Sequence, residues 1–164
     1  MPHIALFIAS FSGTGFFPKA PGTAGTLAGL LFFISLTKLN ISLKALWLVL
    51  GLLFIIGWLC SHHLLKQSNF KDCDPSYIVI DEVVGIWLTI LLVQLFQPST
   101  WLSYGVCFLI FRFFDILKPW PIGWFDHKLA QNFSTASFGI MVDDIVAGMM
   151  AALLIIVFFK ILIM

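Results

Sequence analysis

The 164-residue sequence has few charged residues, and this shortage indicates the class of protein. Only 10% of the residues are Asp, Glu, Lys or Arg, whereas soluble domains carry about 25%. Hydrophobic residues make up 60% of the chain. A chain of this composition cannot cover a water-facing surface, so we expect an integral membrane protein. Its net charge of +1 gives no support for a nucleic-acid partner.

Cysteine is also scarce. Three cysteines, Cys60, Cys73 and Cys107, share no close spacing, which argues against a disulfide framework or a cysteine-based metal site. No Lys or Arg precedes the N-terminal apolar patch, residues 4–11, and the patch is too short for a secretory signal. We expect this patch to stay on the protein at the membrane interface. The length predicts one domain, residues 1–164.

Five apolar runs, separated by polar or Gly/Pro-rich segments, predict an all-α membrane bundle. The runs cover residues 24–36, 45–60, 77–96, 101–117 and 140–164. The first run, at 13 residues, would span only with local thinning of the bilayer, or would be re-entrant. We therefore expect about five membrane helices, with four as the alternative.

The basic residues orient this bundle. With five spans and the N-terminus inside, one side of the membrane holds Lys19, Lys66, Lys71, Arg112, Lys118 and Lys128. The other side holds Lys38, Lys44 and Lys160. The positive-inside rule makes the first side cytoplasmic.

Five of the eight acidic residues then fall at the cytoplasmic ends of three helices. They are Asp81, Glu82, Asp115, Asp143 and Asp144. A carboxylate at the bilayer centre costs about 3 kcal/mol even on lenient scales, and adjacent carboxylates repel each other. Taken singly, each acid has a structural explanation, such as the helix dipole or an ion pair between Asp115 and Arg112. Their convergence at one level favours a functional site.

A divalent cation would compensate these acids. Hard cations bind carboxylate oxygens, and Mg²⁺ typically takes one or two carboxylates together with a substrate phosphate. Gly85 lies four residues after Asp81, and Gly148 lies four residues after Asp144, so each glycine shares a helix face with its acid. These glycines allow a neighbouring helix to approach closely.

Basic residues on the same side favour a phosphate-bearing substrate. Lys19 lies in a Gly/Thr-rich loop, and the helix that Thr23 can cap offers free backbone N–H groups. Arg112 and Lys118 flank Asp115. Together with a metal, these features predict phosphoryl chemistry on an anionic lipid head group.

Three motifs give the chain a resemblance to a known family. They are GTGFFPKAPGTAGT at 13–26, IDEVVG at 80–85, and FRFFDILKPWPI at 111–122, which continues to GIMVDDIVAG at 139–148. In order and position along the whole chain they resemble the phosphatidylglycerophosphatase A family. One departure is Ala136-Ser137-Phe138-Gly139, where we would expect a glycine pair before the last motif.

The resemblance implies an all-helical bacterial inner-membrane enzyme that uses Mg²⁺. Such an enzyme would hydrolyse the terminal phosphate of phosphatidylglycerophosphate to give phosphatidylglycerol, with its active site facing the cytoplasm. The family's acidic motifs fall on the five acids named above. Our hypothesis is that some of Asp81, Glu82, Asp143 and Asp144 hold Mg²⁺, with Asp144 as the deeper ligand and Asp143 nearer the phosphate.

The remaining roles follow the same hypothesis. Asp115 or Glu82 accepts the proton of a water that attacks in line, while Lys19, Thr23, Arg112 and Lys118 bind the phosphate. An aspartyl-phosphate intermediate is the alternative to direct attack by water.

Two other functions compete with this one. A CDP-alcohol phosphatidyltransferase also gathers aspartates and Mg²⁺ at a membrane face, but its Asp-x2-Asp-Gly-x2-Ala-Arg motif has no match here. A small cation carrier would spread its intramembrane acids along a pathway, whereas these are expected at one face.

Overall fold

The structure is a computed structural model that describes residues 2–68, 75–98, 100–124 and 133–163. Its helices are α1 (Pro2–Ala9), α2 (Pro21–Lys38), α3 (Leu43–Gln67), α4 (Ile80–Gln94), α5 (Trp101–Leu117) and α6 (Phe133–Ile163), with a 3₁₀ turn at Thr14–Phe16. These ranges contain no β-strand, which confirms the predicted all-α class. Of the basic residues used to orient the chain, Lys71 and Lys128 lie outside them.

Helix α4 is the centre of the bundle. It packs against α2, α3, α5 and α6, and 12 of its 15 residues are buried. Trp87, in the middle of α4, is fully buried, and its indole Nε1–H donates a hydrogen bond to the carbonyl oxygen of Gly29 in α2 at 2.9 Å. Because its neighbours surround it, α4 offers little surface to the outside of the bundle.

Helices α4 and α6 cross at Gly85 and Gly148, the two glycines that the sequence predicts to allow the close approach of a neighbouring helix. A Cβ atom on Gly148 would lie 2.7 Å from the carbonyl oxygen of Gly85, and one on Gly85 would lie 2.9 Å from that of Asp144. Thr89 links the helices further, because its hydroxyl lies 2.9 Å from the Gly85 oxygen and 3.2 Å from the Gly148 oxygen. The backbones can approach this closely only without side chains at the crossing.

The N-terminal segment covers the chain that leads into α4. Helix α1, which contains most of the N-terminal apolar patch, packs against α3. The backbone N–H of Val79 donates to the carbonyl oxygen of Ala9 at 2.9 Å, and the Phe16 ring stacks on Tyr77 with centroids 6.1 Å apart. Ile78 and Val79, the last two residues before α4, are buried by protein.

Two helices in the described ranges are long and apolar enough to cross a membrane. They are α3 and the part of α6 from Thr135 to Lys160. This is fewer than the five spans that the sequence predicts. The difference lies partly in length, because α2, α4 and α5 have 18, 15 and 17 residues, and a straight span needs about 20.

The start of α6 corrects one boundary. The apolar pattern predicts a run that opens at Ile140, but the helix begins at Phe133. Asp143 and Asp144 therefore lie well inside α6, beyond the first-turn positions where a helix dipole favours acids. Small polar residues interrupt the apolar pattern without ending the helix. One of them, Ser137, is fully buried, and its hydroxyl lies 3.1 Å from Nδ1 of His62 in α3.

Candidate functional site

A cavity of about 320 Å³ opens at one end of the bundle. The N-terminal ends of α2 and α4, the C-terminal end of α5 and the N-terminal third of α6 form its walls. It is lined by all five predicted acids, Asp81, Glu82, Asp115, Asp143 and Asp144, and by Arg112 and Lys118. The predicted convergence of acids from three helices is confirmed.

Three of the acids form a compact group. One carboxylate oxygen from each of Asp81, Glu82 and Asp144 can be chosen so that all three lie within 4.8 Å of one another. Asp81 and Asp144 are only 7% and 4% exposed. Both precede the Gly85–Gly148 crossing by one helical turn, so the close approach of α4 and α6 also brings these carboxylates together. This spacing suits oxygen ligands around one cation.

Asp143 has a different neighbour from Asp144. The Lys118 ammonium donates a hydrogen bond to Oδ2 of Asp143 at 3.1 Å, and Asp143 is 3% exposed. Lys118 caps the C-terminal end of α5 in the left-handed region, at φ 40°. The adjacent aspartates of α6 therefore separate in space: Asp144 belongs to the acidic group, and Asp143 contacts a cation.

Arg112 connects three helices. Its guanidinium forms an ion pair with Asp115 on the same helix, and its Nη1 lies 4.0 Å from Oε1 of Glu82 in α4. The same nitrogen donates a hydrogen bond to Oγ1 of Thr26 in α2 at 3.4 Å. The ion pair expected from the spacing is present, and both of its members also line the cavity.

The first turn of α2 forms another wall of the cavity. Ala20 precedes the helix at φ 54°, and Pro21 opens it. A Cβ atom on Gly22 would clash with Oε1 of Glu82 and would lie 3.2 Å from Nη1 of Arg112, so the α2 backbone lies directly against both side chains. The N–H groups at a helix start have no partner within the helix, which makes such an end a site for phosphate.

Thr26 is a residue that the sequence analysis did not assign to the site. Its hydroxyl donates to the carbonyl oxygen of Gly22 at 2.8 Å and also accepts the hydrogen bond from Arg112. It therefore ties the first turn of α2 to the guanidinium. The sequence feature that could have identified Thr26 is its position four residues after Gly22, which puts both residues on the same helix face.

Lys19 and Thr23 lie away from the cavity in this structure. They line a separate groove on the outer face of α2, and Lys19 is exposed. The prediction that Thr23 caps the helix is wrong, because Ala20 occupies the N-cap and Thr23 lies inside the first turn. The reason is Pro21, whose fixed φ and missing N–H suit the first helical position.

Comparisons with known proteins agree on one family. A sequence model of the family Phosphatidylglycerophosphatase A matches residues 7–159. Phosphatidylglycerophosphatase A of Escherichia coli is 37% identical over 140 residues, which cover 85% of this chain and 74% of that protein. The protein of the same name from Haemophilus influenzae is 36% identical over 145 residues, covering 87% and 81%.

A third relative carries a different name. A putative phosphatidylinositol-3-phosphatase of Bacteroides thetaiotaomicron is 33% identical over 153 residues, which cover 93% of this chain and 91% of that protein. No solved structure gives a significant match. The family match over nearly the whole chain confirms the resemblance seen in the three motifs. The chain belongs to the phosphatidylglycerophosphatase A family.

Proposed function

We propose that this protein is a lipid phosphatase that hydrolyses the terminal phosphate monoester of phosphatidylglycerophosphate, giving phosphatidylglycerol and inorganic phosphate. The observation that carries the proposal is the cavity in which the acids of α4, α5 and α6 meet Arg112, Lys118 and the start of α2. The names of the Escherichia coli and Haemophilus influenzae relatives support this substrate.

The donor groups of the cavity fit a magnesium ion. Asp81, Glu82 and Asp144 offer oxygens at a suitable spacing, and Oε2 of Glu82 is buried without a hydrogen-bond partner among the described residues. Five carboxylates line the cavity against two cationic side chains, an excess of three negative charges if all are ionised. An anionic phosphate would be repelled unless a cation offset this excess. Oxygen ligands and a phosphate substrate favour Mg²⁺ among the common cations.

The residues of the cavity have different roles in the proposed hydrolysis. Asp81, Glu82 and Asp144 would hold Mg²⁺, which supplies Lewis-acid polarisation of a phosphoryl oxygen when bound. Arg112 and the N–H groups at the start of α2 bind the other phosphoryl oxygens and orient the phosphorus for in-line attack. Asp115, which contacts Arg112 and Asp144, accepts the proton of the attacking water.

Lys118 and Asp143 work as a pair in this scheme. Asp143 holds the Lys118 ammonium beside the cavity by the hydrogen bond at 3.1 Å. From this position Lys118, which is the C-cap residue of α5, contributes positive charge near the incoming phosphate. A lysine with three donors can keep its bond to Asp143 and donate to a phosphate oxygen as well.

We also propose that the chain is a multi-pass protein of the bacterial inner membrane. Large aliphatic side chains are exposed on the outer faces of α3, α5 and α6, including Leu48, Leu109 and Leu153. Exposed tryptophans lie at both ends of the bundle, with Trp120 82% exposed near the cavity and Trp101 70% exposed at the other end. This arrangement is typical of an apolar belt between two membrane interfaces.

The short helices are compatible with this placement. Helix α2 has 18 residues and is about 27 Å long, close to the hydrocarbon thickness of about 30 Å. The shorter α4 is surrounded by other helices, so it need not match the bilayer by itself. Arg112 and Lys118 lie at the cavity end of α5, and under the positive-inside rule they support a cavity that faces the cytoplasm.

Removal of the metal gives the first test. Purified protein in detergent is expected to release inorganic phosphate from phosphatidylglycerophosphate with Mg²⁺ present, to fall to background with excess EDTA, and to recover when Mg²⁺ is restored. Full activity in EDTA would overturn the metal assignment. Absence of phosphate release in the presence of Mg²⁺ would overturn the substrate assignment, as would a strong preference for phosphatidylinositol 3-phosphate. A phosphatidyltransferase requires a CDP-lipid, and a cation carrier releases no phosphate.

Thr26→Val tests the contact between α2 and Arg112. Valine keeps the volume but loses the hydroxyl that bonds both the guanidinium and the Gly22 carbonyl. A lost hydrogen bond of this kind costs about 1 kcal/mol, so kcat/KM is expected to fall about fivefold to tenfold. Thr26→Ser should stay near the wild-type value in the same phosphate-release assay. Equal rates for the valine variant and wild type would show that this contact does not position Arg112.

A further inference from the structure

A second depression lies beside the cavity, on the outer face of α2. Its volume is about 340 Å³, and its lining is mostly apolar. The lining includes Phe17, Lys19, Ala24, Leu27, Ala28 and Leu31. Ala20 lines both this groove and the acidic cavity. A molecule bound in the cavity can therefore extend past Ala20 directly into the groove.

The shape of the groove follows from the sequence of α2. Ala24 and Ala28 are four residues apart and form a low floor on one helix face, while Leu27 and Leu31 stand beside them. From Ala24 to Leu31 the floor runs about 10 Å along the helix axis. It leads from the end of the bundle that carries the cavity towards the middle of the bilayer proposed above.

The groove carries positive charge at the end next to the cavity. Lys19 is exposed and stands in the loop before α2, close in the chain to Ala20. The rest of the lining is apolar apart from Thr23. A ligand that fits has an anionic group at one end and a hydrocarbon chain at the other. A phospholipid has this pattern.

We infer that the groove binds the substrate lipid itself, with one acyl chain over Ala24 and Ala28 and the inner phosphodiester at Lys19. The inference rests on the proposed function. Phosphatidylglycerophosphate carries two phosphate groups joined by a single glycerol unit. With the terminal phosphate in the cavity, the phosphodiester lies at the rim formed by Ala20, next to the Lys19 ammonium. Lys19 and Thr23 thus act on the substrate at a different phosphate from the one hydrolysed.

Ala28→Leu tests the acyl-chain part of this inference. Leucine fills the floor of the groove, and the position is only half-buried, so the core is not disturbed. For a substrate with two long acyl chains, KM is expected to rise about tenfold with little change in kcat. For the same lipid with two hexanoyl chains the increase should be smaller. Gly51→Leu is the matched control, because a Cβ at Gly51 of α3 meets no described residue within 4 Å, and it should leave both KM values unchanged.

Lys19→Gln tests the phosphodiester part. KM is expected to rise several-fold for both chain lengths, because both lipids carry the phosphodiester, and Lys19→Arg should restore the wild-type value. The inference is overturned if Ala28→Leu behaves like Gly51→Leu, since the groove would then hold only bulk membrane lipid. A loss that is equal for both chain lengths also overturns it. If the wild-type protein releases no phosphate from phosphatidylglycerophosphate, the proposed function fails first, and that result is distinct.

Discussion

Asp144→Asn is expected to lower phosphate release from phosphatidylglycerophosphate by at least about a hundredfold. The substitution keeps the shape of a side chain that is 4% exposed, but it removes one charge from the group formed with Asp81 and Glu82. Changes even to the outer-shell partners of metal ligands typically cost 10-fold to 100-fold in affinity or activity. A direct ligand should cost more. Phosphate release and Mn²⁺ binding, measured by electron paramagnetic resonance, provide the two measurements.

The neighbouring variant separates the roles of the two aspartates. Asp143→Asn should also lower activity, because it weakens the hydrogen bond that holds Lys118, but Mn²⁺ affinity should stay near the wild-type value. Each variant must give a monodisperse elution profile and a wild-type melting temperature for the comparison to hold. Near-normal turnover in both variants would refute the assignment of this cavity as the active site.

Gly148→Ala is expected to reduce both stability and activity. The added Cβ would lie 2.7 Å from the backbone oxygen of Gly85, and backbone cannot move aside as a flexible side chain does. Overpacking of this kind typically costs about 1–3 kcal/mol. Separation of α4 from α6 would also spread Asp81 and Asp144, which lie one turn before the crossing. We expect a lower melting temperature in detergent, and a higher Mg²⁺ concentration for half-maximal phosphate release.

The control for this substitution is Gly51→Ala in α3. Its Cβ meets nothing within 4 Å, so the variant should melt at the wild-type temperature or slightly above it. Equal melting temperatures for the two alanine variants would contradict the close packing of α4 and α6 as the feature that builds the site.

The existence of the helices and the clustering of acids could be predicted because both depend on simple patterns. The predicted bounds of α5, residues 101–117, agree with the structure, where Thr100 and Ser103 form a capping box at its start. Helices joined by short loops alternate in direction, so residues near alternate loops meet at one end of the bundle. The four-residue spacing of Asp81 with Gly85 and of Asp144 with Gly148 likewise indicates that each acid shares a helix face with a glycine at which another helix can approach closely.

The side-chain directions around the start of α2 could not be predicted in this way. Pro21 and the positive φ of Ala20 decide where the helix begins, and that choice turns Gly22 and Thr26 towards Arg112. The same helix start places Lys19 and Thr23 at the groove on the outer face of α2. Sequence spacing places residues on a common helix face, but it does not say which neighbour that face meets. The start of α6 was missed for a related reason, since the burial of Ser137 is a tertiary effect.

The directions of the helices at the cavity have an electrostatic consequence. Helices α2 and α4 begin there and α5 ends there, so two helix termini with partial positive charge and one with partial negative charge point towards the same space. Lys118, at the end of α5, offsets the negative terminus. A bound Mg²⁺ would offset two of the three excess negative charges of the cavity, and the two positive helix termini add to the attraction for an anion. This part of the attraction belongs to the backbone, and replacing an acid or a base in the cavity does not remove it.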